Sequence, residues 1–459
     1  MADYQLVIIG GGLSGLAAGI RAARFGLSTL IVEQHFRPGG LNSWYNRQGF
    51  LLETGLHAMT NYAPPGAKRA PLNRLFRQLK LSRKKFTTRQ QLCSEIRFPH
   101  HSLLFSNELE LLESQVAGLF PAAIDRFQDL LVKVREYDPF TIRPWRSTRA
   151  FLAETLANPL LEDMLLLPLM VYGNSEEGDM DLGQFVIMFQ AIFLEGFFRP
   201  QATIKEFLQM LVAHYQGFGG ELRYSAPVAA ILRDGERACG VRLADGSEIT
   251  AETVLSTAGI PATAELSGWD LPEKDDYVGQ MSFMESINIL PTRARQTITH
   301  DRTIIFYNEE EKFSYLRPRL PLDISWGVIC FPENFSDCPA SDHFQVRVTN
   351  AANYDLWQGL DPAAYAEQKQ QWQAASQAVV SKIIGNYQGN SVYSDAFTPV
   401  TIQRFTAKAA GAVYGSPKKI ADGATPFAGL FIAGTDQGFL GIVGAMLSGV
   451  SMVNRHVLG

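Results

Sequence analysis

The sequence predicts an α/β fold in which a mainly parallel sheet is interrupted by two inserted segments. Three observations lead to this prediction. The apolar run Tyr4–Ile9 enters a glycine-rich turn followed by a helical pattern, residues 205–260 read as a helix, a strand and a hairpin, and Phe431–Gly449 reads as a strand, a second glycine-rich turn and a helix. The composition, 46% hydrophobic and 19% charged over 459 residues, is typical of a folded globular protein.

The first turn, "GGGLSG", has the G-x-G-x-x-G spacing between a strand and a helix. Gly10 allows the tight turn, Gly12 lets the backbone approach a pyrophosphate, and Gly15 lets the helix and strand pack closely. Leu13 and Ser14 begin the helix, whose free N–H groups and positive dipole end favour phosphate. The pattern predicts a Rossmann-type dinucleotide site.

The second strand, "STLIVE", ends at Glu33, which is followed by Gln34. A carboxylate at this point accepts hydrogen bonds from ribose hydroxyls and repels a 2′-phosphate. These residues alone do not distinguish NAD from FAD.

The segment "RPGGLNSWYNRQGFLLETGLH" carries a second glycine pair and a Glu53-x-Gly55 element. Here the sequence resembles the superfamily of FAD-dependent amine oxidases and phytoene desaturases. The resemblance implies a glutathione reductase-like FAD-binding domain with an inserted α+β substrate domain, and FAD bound without a covalent tether. It places these further residues along the flavin: Gly39, Gly40, Leu41, Gly55, Leu56 and His57.

The middle block contains the turn Ala244-Asp245-Gly246 of a predicted hairpin. In the superfamily this block rejoins the nucleotide domain beside the adenine. The resemblance implies backbone contacts from Val228 to adenine, and a valine of the core is the equally available interpretation.

The closing segment "GLFIAGTDQGFLGIVGAMLSG" resembles the last flavin motif of the same superfamily. The resemblance implies that Gly434 lets the strand end against the ribityl phosphate and that Asp436 accepts a ribityl hydroxyl. Gly441, Ile442 and Val443 would begin a helix whose N-terminus faces the flavin ring and stabilises its reduced form.

The spacing from Gly434 to Ala445, together with "RFTAKAAGAVYG", looks most like the retinol saturase and carotenoid isomerase branch. This implies hydride exchange between FAD and a long apolar polyene or isoprenoid, as in carotenoid biosynthesis, with the electron acceptor left open. A flavin-dependent cis/trans isomerase, an amine oxidase and a non-catalytic flavin-binding scaffold are the alternatives. One segment departs from the branch: "FFRPQATIKEF" replaces a glycine pair that normally approaches the flavin.

Three ranges predict the division into domains. The FAD-binding domain takes residues 1–60, 205–260 and 396–459, a mainly helical insertion takes 61–204, and a sheet-containing substrate domain takes 261–395. The first insertion includes "FVIMFQAIFLEGFF", which is too short to span a bilayer and reads as a buried helix, a tunnel wall or a membrane-facing gate.

The catalytic candidates are few, because no Ser-His-Asp arrangement and no metal-ligand constellation is present. His57 could donate a proton at the flavin edge, or it could be a histidine satisfied in a buried turn. Glu195, alone in an apolar segment, would have a raised pKa if buried and could act as an acid. Arg199 and Tyr414 are the further candidates.

The net charge of −5 conceals a local excess of cations. The stretch Lys68–Arg89 holds nine basic residues and no acid. It predicts either a solvated face or a docking surface for anionic lipid, and no motif for nucleic acid accompanies it. With four unpaired-looking cysteines and no targeting segment, we expect a cytoplasmic protein associated peripherally with a membrane.

Overall fold

The computed structural model describes residues 2–55, 57–141, 143–298 and 301–459. The strands are β1 Tyr4–Ile9, β2 Thr29–Val32, β3 Trp44–Arg47, β4 Phe50–Glu53, β5 Thr88–Gln90, β6 Ser94–Phe98, β7 His101–Phe105, β8 Phe198–Pro200, β9 Glu221–Arg223, β10 Val228–Asp234, β11 Arg237–Leu243, β12 Glu248–Ser256, β13 Ser282–Pro291, β14 Ile304–Asn308, β15 Trp326–Cys330, β16 His343–Ala352, β17 Tyr393–Phe397 and β18 Leu430–Ile432.

The helices alternate with these strands and are concentrated between β7 and β9. They are α1 Leu13–Ala23, α2 Pro71–Gln78, α3 Leu109–Leu119, α4 Ile124–Glu136, α5 Thr148–Thr155, α6 Pro159–Gly173, α7 Leu182–Phe189, α8 Ile204–Gly217, α9 Ile260–Ser267, α10 Pro362–Ile384, α11 Pro399–Thr406 and α12 Gly441–His456. A π-helical turn, Gln190–Leu194, continues α7.

The first sheet unites the three chain segments that the glycine motifs mark. Its order is β10-β11-β12-β1-β2-β9, and β18 pairs with β12. The strands from β18 through β12, β1 and β2 to β9 run parallel, while β10, β11 and β12 form the antiparallel hairpin units. The predicted α/β fold is confirmed, because α1, α8 and α12 cover one face of this sheet with apolar side chains.

The second sheet has the order β17-β13-β16-β15-β14-β6-β7. Its strands β6 and β7 come from the first inserted segment and join β14 of the second one. The first insertion is therefore not entirely helical, and the two insertions build one structure together.

The apolar segment 185–198 lies inside the core. Phe185, Phe189 and Phe193 are buried and pack in a row along α7 and the π-helical turn. The interpretation as a core helix fits this position, and a membrane-facing gate does not. Within the described ranges, no helix is both long enough and apolar enough to cross a membrane.

Candidate cofactor and substrate site

A cavity of about 1080 Å³ runs from the first sheet to the second. One end, the nucleotide end, is lined by the turn after β1 and by the ends of β2 and β10. The other, the inner end, is lined by α6 and by strands β13, β15 and β16 of the second sheet. Residues from both the motifs and the insertions therefore meet along one continuous wall.

The three glycines of the first turn have separate roles in the structure. Gly10 has a φ of +103°, which side chains disfavour. A Cβ at Gly15 would lie 2.0 Å from the carbonyl oxygen of Gly10, so only glycine lets the helix approach the strand. Gly12 has open space around it and lines the cavity, which leaves room for a diphosphate.

The start of α1 offers unused donors at the same point. Among the described residues, no side chain caps this helix, and the buried Ser14 hydroxyl at its first turn has no hydrogen-bond partner. Leu13 and Ser14 both line the cavity. Helix N–H groups and a free hydroxyl beside open space fit a diphosphate.

The second glycine pair lies directly against this turn. The Gly39 N–H donates to the Gly11 carbonyl at 2.9 Å, and a Cβ at Gly40 would lie 3.6 Å from the Cα of Gly12. Gly39, Gly40, Leu41 and Gly55 line the cavity. Leu56 lies outside the described residues.

Glu33 closes the nucleotide end. Its carboxylate accepts the Gly11 N–H at 2.6 Å and the His35 N–H at 2.8 Å, while Glu33 and Gln34 line the cavity. Burial raises the pKa of Glu33, although these backbone donors oppose the shift. The remaining lone pairs can accept ribose hydroxyls, as the sequence predicts. Val228, at the start of β10, also lines this end.

Only some residues of the C-terminal motif line the cavity. Gly434, Gly441 and Ile442 line the cavity, and α12 begins there without a side-chain cap. Val443 is fully buried in the core behind α12, away from the cavity. Its predicted contact with the cofactor is not supported by this placement.

Asp436 is also behind the wall rather than in it. Its carboxylate accepts the N–H groups of Ile260 at 2.7 Å and Ser416 at 3.0 Å. Burial alone would raise the pKa of Asp436, but Lys408, Lys419 and these donors lower it. The structure thus gives Asp436 the role of joining α9 to the loop before β18, and this placement outside the cavity wall does not support the predicted ribityl contact.

Lys408 is a lining residue that the sequence analysis did not identify. Its Nζ donates to the Thr435 Oγ1 at 3.0 Å, next to Gly434. A cation beside the wall of a dinucleotide cavity is suited to an anionic group.

The inner end places an imidazole beside a buried carboxylate. The His57 Nε2 lies 3.0 Å from the Thr349 Oγ1 and 3.4 Å from a carboxylate oxygen of Glu285, and all three residues line the cavity. Glu285 and Thr349 face each other across the β13–β16 ladder, and Arg347 is two residues along the same strand. The alternation of a strand therefore puts these three side chains on one face.

Arg347 fixes the charge of this group. It is fully buried, its Nε donates to Glu285 at 2.8 Å, and one Nη also donates to the Glu53 carbonyl at 2.8 Å. Burial would raise the pKa of Glu285, but Arg347 and His57 outweigh it and lower that pKa to about 2. The carboxylate beside His57 is therefore anionic at neutral pH.

Arg199, a predicted catalytic residue, does not line the cavity. It forms a buried ion pair with Glu53 and donates to the His57 carbonyl at 2.7 Å. Glu53 also accepts the N–H of Ile204 at 2.6 Å, at the start of α8. Arg199 thus acts on the backbone of His57, and the segment that departs from the family pattern supports the site from behind.

Tyr414 does line the inner end, with its hydroxyl donated to the Val171 carbonyl. Its ring packs edge-on against Phe283, with centroids 6.2 Å apart. Tyr172 lines the same region, and its buried hydroxyl has no hydrogen-bond partner in the part of the chain that the structure describes. Burial raises the pKa of both phenols, so both are neutral donors.

Glu195 is close to the cavity but separated from it. Its carboxylate accepts the Asn61 side-chain amide at 2.8 Å, and it does not line the wall. Burial raises the pKa of Glu195 to about 7. The predicted raised pKa fits this position, whereas direct contact with a substrate does not.

Sequence reasoning missed Glu285, Arg347 and Thr349. Two of them left a signal, since Glu285 and Arg347 are single opposite charges inside otherwise apolar strand patterns. Charges in such strands are buried only when paired. Their pairing with each other, and with His57, depends on contacts between distant segments.

The whole chain was compared with known proteins. The profile of the family described as flavin containing amine oxidoreductase matches residues 13–455. All-trans-retinol 13,14-reductase of Rattus norvegicus is 24% identical over 98% of this chain and 85% of that protein. The chloroplastic prolycopene isomerase of Arabidopsis thaliana is 23% identical over 98% of this chain and 82% of that protein.

A third relative and a solved structure agree with these matches. A lycopene-forming phytoene desaturase of a Paracoccus species is 24% identical over 55% of this chain and 54% of its own length. The crystal structure of an oxidoreductase from Methanosarcina mazei superposes with a TM-score of 0.65 at 16% identity, covering 98% of this chain and all of that one. The structural likeness concerns the fold.

Proposed function

The chain belongs to the flavin containing amine oxidoreductase family, and from this premise we propose that it exchanges a hydride with a long apolar polyene or isoprenoid. The observation that carries the proposal is the inner end of the cavity, where apolar walls surround one proton-holding group. Relatives named as a retinol reductase, a prolycopene isomerase and a phytoene desaturase support the substrate class.

FAD is the cofactor, and the residues of the nucleotide end fit it. The glycine turn, the free Ser14 hydroxyl and the start of α1 would hold the diphosphate, and Glu33 would hold the ribose. Gly434 and the start of α12 would face the remainder of the cofactor, with Lys408 beside them. When bound, FAD takes up or releases the hydride.

The inner end suits an apolar substrate. Apart from the His57 group its wall is mainly apolar and aromatic, with these members: Ala58, Val171, Tyr172, Phe283, Val328, Val413 and Tyr414. A polyene gains about 25 cal/mol for each Å² of apolar surface removed from water there. A polar substrate would gain few hydrogen bonds for the water it loses.

His57 supplies the proton that balances the hydride. Saturation of a carbon–carbon double bond needs one hydride and one proton, and desaturation releases the same two species. The His57 Nε2 lies beside the Glu285 carboxylate, which Arg347 fixes, while Arg199 fixes the His57 backbone. The same arrangement can give or receive the proton, so it serves either direction.

A cis/trans isomerase is the second candidate, and it is favoured by the match to a prolycopene isomerase. In that reaction the substrate gains and loses no hydrogen overall. An amine oxidase is less well supported. A cationic amine held between two rings needs a gap between them, whereas Tyr414 and Phe283 are packed edge to face, and Arg347 already neutralises Glu285.

Anaerobic mixing of the FAD-loaded protein with retinoids, C40 carotenoids and primary amines tests the proposal. We expect a polyene, and no amine, to change the flavin absorbance of either the oxidised or the dithionite-reduced protein. His57→Gln should slow this step by about 100-fold or more while FAD content stays the same. Bleaching of oxidised flavin by an amine alone would overturn the proposal.

We further propose that the protein takes its substrate from an anionic membrane surface through what we call the basic surface. It comprises the exposed cations of the predicted stretch: Lys68, Arg69, Arg74, Arg77, Lys80, Lys84 and Lys85. Within the described ranges, none of them forms an ion pair with an acid. Cations near an anionic surface each contribute roughly 1 kcal/mol of attraction.

The structure refines which residues could dock. Arg89 is buried, and Arg83 donates to the carbonyls of Ala63 and Phe86, so both support the fold. Leu75 and Phe76 of the same stretch are also buried, so they offer no apolar side chain to a membrane. The exposed ring of Phe25 is next to this area, because Arg24 donates to the carbonyls of Arg77 and Gln78.

Co-sedimentation with liposomes tests the docking proposal. We expect binding to vesicles containing phosphatidylserine at low salt, loss of most binding at about 0.5 M salt, and weaker binding to neutral vesicles. Reversing Arg74, Arg77, Lys80 and Lys84 to Glu should abolish binding without changing FAD content. The exposed pair Lys312 and Arg319, reversed in the same way, is the control, and equal loss in both variants would contradict a specific surface.

A further inference from the structure

A chain of hydrogen bonds leads from Glu195 to the cavity wall. The Asn61 Nδ2 donates to a Glu195 carboxylate oxygen at 2.8 Å, and the Thr60 hydroxyl donates to the Asn61 Oδ1 at 2.9 Å. Thr60 is buried and lines the cavity. A Cβ at Gly441 would lie 3.5 Å from the Thr60 Oγ1, which places this hydroxyl at the start of α12.

The backbone holds this chain in place. Asn61 adopts a φ of +65°, a conformation that few residues other than glycine tolerate. Its N–H donates to the Ala191 carbonyl at 3.0 Å, and the next N–H donates to the Gly196 carbonyl at 3.1 Å. The loop is therefore fastened on both sides of Glu195, and only the side chains are free to reorient.

We propose that Glu195 is a positioning residue whose protonation state sets the direction of the Thr60 hydroxyl toward bound FAD. An ionised carboxylate only accepts, so the Asn61 NH₂ turns to it and the Asn61 oxygen accepts from Thr60. The Thr60 oxygen then presents lone pairs to the cavity, and it acts there as an acceptor.

Protonation of Glu195 reverses the order of donors. The neutral carboxyl donates its O–H to the Asn61 oxygen, and the amide turns so that its NH₂ donates to Thr60. The Thr60 hydroxyl is then free to donate into the cavity beside the free N–H groups of α12. A donor at that point favours negative charge on the group it meets, and an acceptor disfavours it.

Glu195 is the group whose titration would reverse these hydrogen bonds. Charged and titratable groups lie on the elements packed around Glu195. They are Tyr62 on the loop of Asn61, Glu108, Glu110 and Glu113 at α3, and Lys133, Arg135 and Glu136 at the end of α4. None of them makes a hydrogen bond or an ion pair with Glu195 in the described part of the chain. Burial places the pKa of Glu195 at about 7, so both states are reached at ordinary pH.

A pH titration of the absorption spectrum of bound FAD tests the inference. We expect one inflection near pH 7 in the unaltered protein, loss of that inflection in both Glu195→Gln and Thr60→Val, and its retention in Thr60→Ser, which keeps the hydroxyl. Glu162→Gln is the control, because burial also raises the pKa of Glu162, but its carboxylate accepts the Asn158 N–H instead of belonging to the chain that leads to Thr60.

Three results would overturn the inference. An inflection that survives Glu195→Gln would belong to another group. One that survives Thr60→Val would show that Thr60 does not carry the effect of Glu195 to the flavin. A spectrum without any inflection near pH 7 would contradict it as well. The inference rests on the FAD site and not on the substrate, so it can fail while the proposed function stands.

Discussion

The two ends of the cavity each hold a buried glutamate, and they hold it by different means. At the nucleotide end, Glu33 accepts two backbone N–H groups from residues close to it in the sequence or in the neighbouring turn. At the inner end, Glu285 is held by the side chains of Arg347 and His57, which come from distant segments. Burial dominates at Glu33 and raises its pKa, whereas the cations dominate at Glu285 and lower its pKa.

This difference shows what each end requires of the rest of the molecule. Backbone donors are neutral and remain in place when side chains change, so the nucleotide end depends on local glycine geometry. A buried carboxylate held by an arginine depends strongly on that side chain, because burying either charge without the other is costly. We therefore expect the inner end to be the more fragile of the two.

The largest expected effect follows from removing Arg347. Arg347→Met leaves the buried carboxylate of Glu285 with His57 as its remaining charged neighbour, which should lower the free energy of unfolding by about 3–5 kcal/mol. Urea unfolding of the FAD-loaded protein measures this. Arg242→Met breaks an ion pair of the same geometry at the exposed Arg242–Glu248 pair and should cost no more than about 1 kcal/mol.

The double variant Arg347→Met/Glu285→Gln sharpens the same test. It removes the charge that Arg347 compensates, and it should be more stable than Arg347→Met alone. The pKa of Glu285 is lowered from 4.5 to about 2, so its ionised form stabilises the fold above pH 4.5 and that contribution is lost as the pH falls toward 2. Equal stability of the single and double variants would show that Arg347 does not stabilise the fold by compensating the charge of Glu285.

Glu195 should make stability depend on pH in the direction opposite to Glu285, and the change in free energy should be smaller than the loss expected for Arg347→Met. Its pKa is raised from 4.5 to about 7, so the folded protein binds this proton more tightly than the unfolded chain does. The free energy of unfolding should therefore fall by about 3 kcal/mol at most as the pH rises from 4.5 to 7, and stay level above that. Glu195→Gln should remove this dependence, as unfolding at about pH 5 and about pH 8 would measure. An unchanged dependence would assign it to another group.

The smallest of the three effects concerns Glu33. Glu33→Ala removes the acceptor of the Gly11 and His35 N–H groups and of the ribose hydroxyls, and should weaken FAD binding by about 1–3 kcal/mol. Fluorescence titration of the FAD-free protein measures the affinity, with Glu265→Ala, another residue that lines the cavity, as the control. Unchanged affinity would remove Glu33 from the ribose site.

Much of the fold could be predicted because its signals are local. The strand before Gly10, the hairpin turn at Ala244-Asp245-Gly246 and the glycine-rich start of α12 each depend on residues close in sequence, and the structure has all three. The glycine turn and Glu33 at the nucleotide end could be predicted for the same reason. The family and the cofactor, identified from these motifs, are confirmed.

The inner end could not be predicted to the same extent. The group of His57, Glu285 and Thr349 forms only when the loop after β4 meets two strands that are more than 200 residues further along the chain. The same holds for the union of β6 and β7 with the second sheet. The ribityl contact of Asp436 stays a prediction, and the structure does not favour it, because the carboxylate is buried and accepts three hydrogen bonds from its own chain.

The most direct test of the proposed hydride exchange is the mass of the product. The FAD-loaded protein, oxidised or reduced with dithionite, is incubated anaerobically with a polyene, and the product is analysed by chromatography and mass spectrometry. We predict a product two hydrogens heavier from the reduced protein or two hydrogens lighter from the oxidised one. Isomerised polyene of unchanged mass would favour the isomerase instead, and conversion of an amine with no change in any polyene would contradict the account.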